Sequence, residues 1–162
     1  MSKSKPRGDS FECLRDAIII RRKITEVMKV LSLQSQKRVE SLMATNSDDM
    51  REQRFDSWLI NEECKTMHKV AAELSGNLRS ANTIWPTYMA EFTERRVFMD
   101  RALAACNVLQ DELQYIAEAV YADKNKFTAL VLEIEALFKK IKSVRQADNR
   151  FLKEIKDVNQ KV

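Results

Sequence analysis

The chain has 162 residues and a mass of 18.8 kDa, enough to bury one core but not two independent ones. It holds two Gly and two Pro, against ordinary usage of roughly 7% and 5%, while 32% of its residues are charged. Sheet proteins need regular turn residues and phosphate loops need clustered Gly, so composition leaves an all-helical protein with a small net charge of +4.

Residues 1–8 read as a short disordered basic tail punctuated by Pro6 and Gly8, without the apolar run and cleavage site of a secretory signal. Asp9 and Glu12 have the N-cap to N3 spacing of a helix start. The helix that follows carries Leu14, Ile18, Ile24, Val27, Met28, Leu31, Val39 and Leu42 at helical spacing, as far as the polar cluster Thr45-Asn46-Ser47-Asp48-Asp49. Thr45 or Ser47 is suited to cap a second helix that turns Phe55, Leu59, Met67, Val70, Leu74, Leu78 and Ala81 inward, with Gly76 inside it at some cost. That helix ends near Asn82-Thr83, and Pro86 fits the first turn of a third, where its missing N–H loses no bond. The third stripe is Phe92, Met99, Leu103, Cys106, Leu109, Leu113, Ile116 and Val120. After a turn at Tyr121-Ala122-Asp123-Lys124-Asn125, a fourth stripe runs from Phe127 through Leu130, Ile134, Leu137, Ile141, Val144, Phe151 and Ile155 to Val158 in 4-3 spacing, interrupted only by Asp148.

Four helices of about 35 residues with short connections predict an antiparallel up-down-up-down four-helix bundle, a single domain over residues 9–162. The competing architecture is an elongated coiled coil, because the phase from Phe92 to Phe127 does not slip; Asp123 at a core position and Asn125 beside it favour the turn. No segment approaches the ~20 apolar residues of a membrane span, since Ala17-Ile18-Ile19-Ile20 runs into Arg21-Arg22-Lys23. Cys13, Cys64 and Cys106 are odd in number and far apart, which reads as reduced core thiols in a cytoplasmic protein.

No catalytic or metal constellation emerges. His68 is the one histidine, and Glu63, five residues away, is off its face. Glu91-x-x-Glu94 and Glu133-x-Glu135 are the closest acidic groupings, and they read as solvated charges. The expectation is a protein that is not an enzyme and takes no cofactor.

Charge is distributed unevenly. Residues 1–38 hold ten Lys and Arg against four Asp and Glu, residues 139–162 hold eight against three, and the middle is acidic. An antiparallel bundle brings the start of the first helix and the end of the fourth to one end, so the basic segments converge on a surface for a polyanion, RNA first and DNA second. The candidate nucleic-acid-binding residues are Arg21, Arg22, Lys23, Arg95, Arg96, Lys139, Lys140, Lys142, Arg145, Arg150 and Lys153. Lys139-Lys140-x-Lys142-x-x-Arg145 has no acidic residue within its span, which points to an anion from outside. Trp58, Trp85 and Tyr88 sit at core spacing and read as packing residues, with base stacking as their other use.

The stretches Met89-Ala90-Glu91-Phe92-Thr93-Glu94-Arg95-Arg96, Asp111-Glu112-Leu113-Gln114-Tyr115-Ile116, Asp123-Lys124-Asn125-Lys126-Phe127 and Val144-Arg145-Gln146-Ala147-Asp148-Asn149-Arg150 resemble the accessory variability determinants of diversity-generating retroelements, small four-helix-bundle proteins encoded beside reverse transcriptases. The resemblance covers residues 75–150. It implies a basic homo-oligomer, pentameric in that family, that binds a reverse transcriptase and its template RNA during cDNA synthesis and performs no chemistry itself. It carries over Arg95, Arg96, Arg145 and Arg150 as nucleic-acid or transcriptase contacts. The sequence departs from the family in its long first two helices and in having Phe138-Lys139-Lys140-Ile141-Lys142 where the family has Gly-Gly-Trp. A second reading from the residues themselves is a helical scaffold that pairs through the seam of its last helix, with Asp148 setting register.

Overall fold

The computed structural model describes residues 9–43, 48–120 and 122–157. Four helices run α1 Asp9–Leu42, α2 Asp48–Thr83, α3 Met89–Ala119 and α4 Lys124–Ala147, followed by a 3₁₀ helix, η1, over Asp148–Lys153. Among the described residues there is no strand. α1 packs on α2 and α4, and α3 packs on the same two helices, so the four form a closed square.

Side-chain pairs fix the directions. Passing up α1 from Asp16 to Lys23 passes down α4 from Lys140 to Glu133, so α1 and α4 are antiparallel. Ser35 of α1 meets Ser57 near the start of α2, Arg95 near the start of α3 meets the Ala81 carbonyl at the end of α2, and Gln110 of α3 donates to Val131 of α4. The square is an up-down-up-down bundle with the start of α1 and the end of α4 at one end. The 4-3 stripes supply its interior: Ile24, Met67, Leu74, Met99, Leu109, Leu113, Ile116, Ile134, Leu137 and Ile141 are all buried. Each such side chain, fully buried, contributes roughly 1.5–3 kcal/mol.

The helix boundaries correct the sequence reading in two places. Pro86 does not open α3; it lies buried in the connection, and the helix starts at Met89. The Glu91 carboxylate decides this, accepting from the Thr87 and Tyr88 N–H groups at 2.6 and 3.2 Å as the acidic half of a capping box. The fourth helix is also shorter than its stripe. It changes to 3₁₀ geometry at Asp148, and the chain then folds back until the Lys156 N–H bonds the Thr87 carbonyl and the Asp157 carboxylate accepts from Met89 N–H at the start of α3. Phe92, Phe151 and Ile155 form a second, smaller core beneath this return, and the final stripe residue, Val158, lies outside the described residues.

Other boundaries agree with expectation. α1 begins at Asp9, α2 ends at Thr83, and Asp123 caps α4 by accepting from the Asn125 N–H at 3.1 Å. The basic tail, and the Thr45 and Ser47 caps, fall outside the described residues. Phe55 is exposed rather than inward, its ring 5.4 Å from that of exposed Trp58. Cys13 and Cys106 are buried and Cys64 half-buried, with no disulfide among them. Burial, with Cys13 beside it, pushes the Cys106 thiol up to about 12, which keeps it protonated and unreactive.

Gly76 sits mid-helix with nothing within 4 Å of where a Cβ would be. Gly76→Ala should therefore raise stability by about 0.8–1 kcal/mol through helix propensity alone. For a chain of this size that is a rise in Tm of about 2–4 °C, read by thermal denaturation.

Candidate nucleic-acid interface

The eleven basic residues proposed from sequence do not form one open surface. Arg95 is 5% exposed, and its guanidinium is consumed inside the protein. Its Nε and Nη2 donate to the two oxygens of Asp148 at 2.6 and 3.2 Å, and Nη1 donates to the Ala81 and Ile84 carbonyls at 2.7 and 3.2 Å. Arg95 is thus withdrawn from the nucleic-acid set. The same pair removes Asp148 as a register residue for a partner chain, because it answers a charge of its own bundle.

The cationic run on α4 is likewise answered from within. Lys139 pairs with Glu135 one turn earlier, Lys140 with Asp16 of α1 at 2.7 Å, and Arg145 with Asp100 of α3 at 2.5 Å. Lys23 of α1 pairs with Glu133 of α4 at 2.7 Å. The span 139–145 itself holds no acidic residue, but three of its four cations are answered by carboxylates just before it, Glu135, or across helix seams, Asp16 and Asp100. Asp16 holds Lys140 protonated above its ordinary range, first through the hydrogen bond and then through charge.

Three cations that have no carboxylate partner among the described residues, Arg96, Arg150 and Lys156, lie where η1 and the returning chain meet the start of α3. Arg96 bonds the neutral Asn149 side chain at 2.7 Å and lies 5.2 Å from the Phe92 ring centroid. Arg150 lies 5.2 Å from the centroid of Phe151, and Lys156 lies 6.0 Å from that of Tyr88. Trp85 stands edge-on to Phe151 with centroids 4.9 Å apart. Trp85 is 42% exposed and Tyr88 48%, so both rings present surface to solvent while anchored on their inner side. Lys153 belongs to η1 in the same corner. Lys142 lies further along α4 over Phe138, and exposed Arg22 and half-buried Arg21 lie on α1, outside this corner.

The return of the chain builds this corner. Phe151 and Ile155 are buried, so the residues flanking them, Arg150 and Lys156, are held at the surface, and the Lys156 N–H to Thr87 carbonyl bond at 3.1 Å seats Lys156 beside Tyr88. Cations over aromatic faces are favourable by about 0.5–1 kcal/mol at exposed sites, which orients these side chains before any ligand arrives. Arg96 and Arg150 were named from sequence, and Lys156 belonged to the wider basic end. Trp85 and Tyr88, expected in the core from their spacing, are exposed instead.

A further ionisable pair went unread in the sequence. Glu63 of α2 stands beside Glu112 of α3, and one Glu63 oxygen is buried without a hydrogen-bond partner. Burial first, then the hydrogen bond and charge of Glu112, push the Glu63 carboxyl from its ordinary 4.5 to about 7. The folded protein therefore keeps a proton between these values that the unfolded chain releases, so this group's contribution favours folding at low pH and is lost as pH rises through about 7. Glu63→Gln should flatten the fall in Tm between pH 5 and 8 and raise Tm at pH 8, as thermal scans across buffers would record. No spacing rule joins Glu63 and Glu112 in sequence; only the α2–α3 register does.

Among the described residues, no group of three or more His, Cys, Asp or Glu side chains comes together to hold a metal, and no helix is long and apolar enough to cross a membrane. The α4 seam faces its own bundle from Phe127 to Val144, which leaves it no face for a partner helix. No protein-family model, curated protein or solved structure matches the chain.

Proposed function

We propose that the chain is a non-catalytic binding protein for single-stranded nucleic acid, template RNA before DNA, acting as an accessory of a reverse transcriptase. The observation that carries the binding reading is the corner where exposed Trp85 and Tyr88 lie near Arg96, Arg150 and Lys156, three cations that have no carboxylate partner among the described residues. Unpaired bases offer faces that stack on aromatic side chains, and the adjacent cations meet the phosphates. A duplex hides those faces, so the single strand is the better ligand. The transcriptase partnership rests on the resemblance of residues 75–150 to the retroelement accessory proteins.

Fluorescence anisotropy with a labelled single-stranded RNA tests the site. The triple change Arg96→Glu, Arg150→Glu and Lys156→Glu should weaken binding and flatten the log–log salt dependence by roughly 0.7 per lost phosphate contact, about 2 in all. Lys139→Glu with Lys140→Glu should do much less, since those lysines already face Glu135 and Asp16. Equal loss from both sets would move the site onto α4 and overturn this assignment.

A further inference from the structure

α3 is apolar on two faces. One is buried in the bundle; the other carries Val97, Arg101, Ala104, Val108, Asp111 and Tyr115, all exposed, with Val97 and Val108 each at 40% and Tyr115 at 50%. These six follow one another in an unbroken 4-3-4-3-4 spacing, the seam of a coiled coil, on the side of α3 that no other helix of the bundle covers. Among the described residues neither Arg101 nor Asp111 has an ion-pair partner; the Arg101 guanidinium lies only over its own helix's Phe98, 5.8 Å from the centroid.

The seam is complementary to itself in reverse. Placed antiparallel about a two-fold axis at position 106, Ala104 meets Val108 of the other copy, Arg101 meets Asp111, and Val97 meets Tyr115. Every apolar residue finds an apolar one, and the only two charges find each other, twice by symmetry, as an isologous interface requires. The flanking positions agree: Asn107 falls opposite Asn107, Ala105 opposite Ala105, and Asp100 opposite Gln114, so no like charges meet beside the seam. Beyond the last apolar layer Glu94 and Glu118 would come together, which marks where the contact ends at its solvent rim.

We infer that the outer face of α3 is a docking surface for a second copy of this chain, forming an antiparallel two-fold dimer in which Arg101 of each copy pairs with Asp111 of the other. Parallel pairing is disfavoured because it stacks Arg101 on Arg101 and Asp111 on Asp111, whereas like charges in register suppress an alternative. The arrangement places the two Trp85–Tyr88 corners at opposite ends of the dimer, free of the interface.

Sedimentation analysis of the full chain over a concentration series tests this, with circular dichroism confirming that each variant stays helical. The wild type should show a monomer–dimer equilibrium. Arg101→Asp alone and Asp111→Arg alone should each weaken it by at least about tenfold, since each sets like charges against each other. The double variant R101D/D111R should recover wild-type association, a rescue that only the cross-copy pair produces. Glu118→Lys should tighten the dimer by relieving the rim. A monomer at all concentrations, a higher oligomer indifferent to these changes, or a double variant no better than the singles would each overturn the inference.

Discussion

Asp148→Ala should destabilise the bundle by about 3–5 kcal/mol, the cost of leaving a buried guanidinium without its carboxylate. Arg95 and Asp148 are 5% and 1% exposed, so water cannot take the place of the missing partner. The pair does more than neutralise charge. Through its Nη1 the Arg95 side chain bonds the carbonyl of Ile84 and that of Ala81, which also accepts from the Ile84 N–H, while its other nitrogens hold Asp148 where α4 gives way to η1. One side chain of α3 therefore joins the ends of two other helices. Against a typical total stability of 5–15 kcal/mol, loss of this size should appear as a large drop in the urea midpoint. Replacing both partners, as in R95M/D148L, should cost far less than Asp148→Ala, because the desolvated charge goes with them. If the two variants unfold at the same midpoint, the pair is not what secures this end.

Trp85→Ala should weaken binding of single-stranded RNA by about 1–3 kcal/mol, roughly 5- to 150-fold in Kd, with little change in salt dependence. Stacking involves no counterion, so loss of a platform lowers affinity at every salt concentration by a similar factor, whereas loss of Arg96 or Arg150 changes the slope. The two classes of variant are thus distinguishable in one titration series. Tyr88→Phe should bind almost as the wild type does, because the ring is what stacks, and Tyr88→Ala should behave like Trp85→Ala. Trp85 also touches Phe151 of the smaller core, so the helical signal of each variant is checked first.

Much of this architecture was legible in the sequence because it depends on period. The stripes of α1, α3 and α4, the starts of α1 and α4, and the end of α2 follow from apolar spacing and capping residues, which act locally. The start of α3 escaped because a proline permits a helix start without compelling one, and Glu91 compels it three residues later. The 3₁₀ turn escaped because the 4-3 pattern continues through Phe151 and Ile155, which pack on a different core. The basic surface was the least legible feature. Net charge along the chain places cations at one end of the bundle, yet which of them remain unpaired depends on Asp16, Asp100, Glu133 and Asp148 arriving from other elements and on Glu135 one turn before Lys139. Arg95 and Arg96 are adjacent in sequence and opposite in fate, one buried in an ion pair and the other half-buried beside an amide. Helical geometry separates them by about 100°, enough to turn one to the core and the other toward the surface.

Binding of an unpaired strand at this corner, as proposed, combines stacking with charge. The two contributions are read together in the anisotropy of a labelled single-stranded RNA and of a duplex of equal length, each titrated with the wild-type chain across a range of salt. The single strand should bind more tightly at every salt concentration, with a linear log–log slope of about −0.7 for each phosphate contacted. Absence of binding at low salt, or a duplex bound as tightly as the single strand, would contradict it.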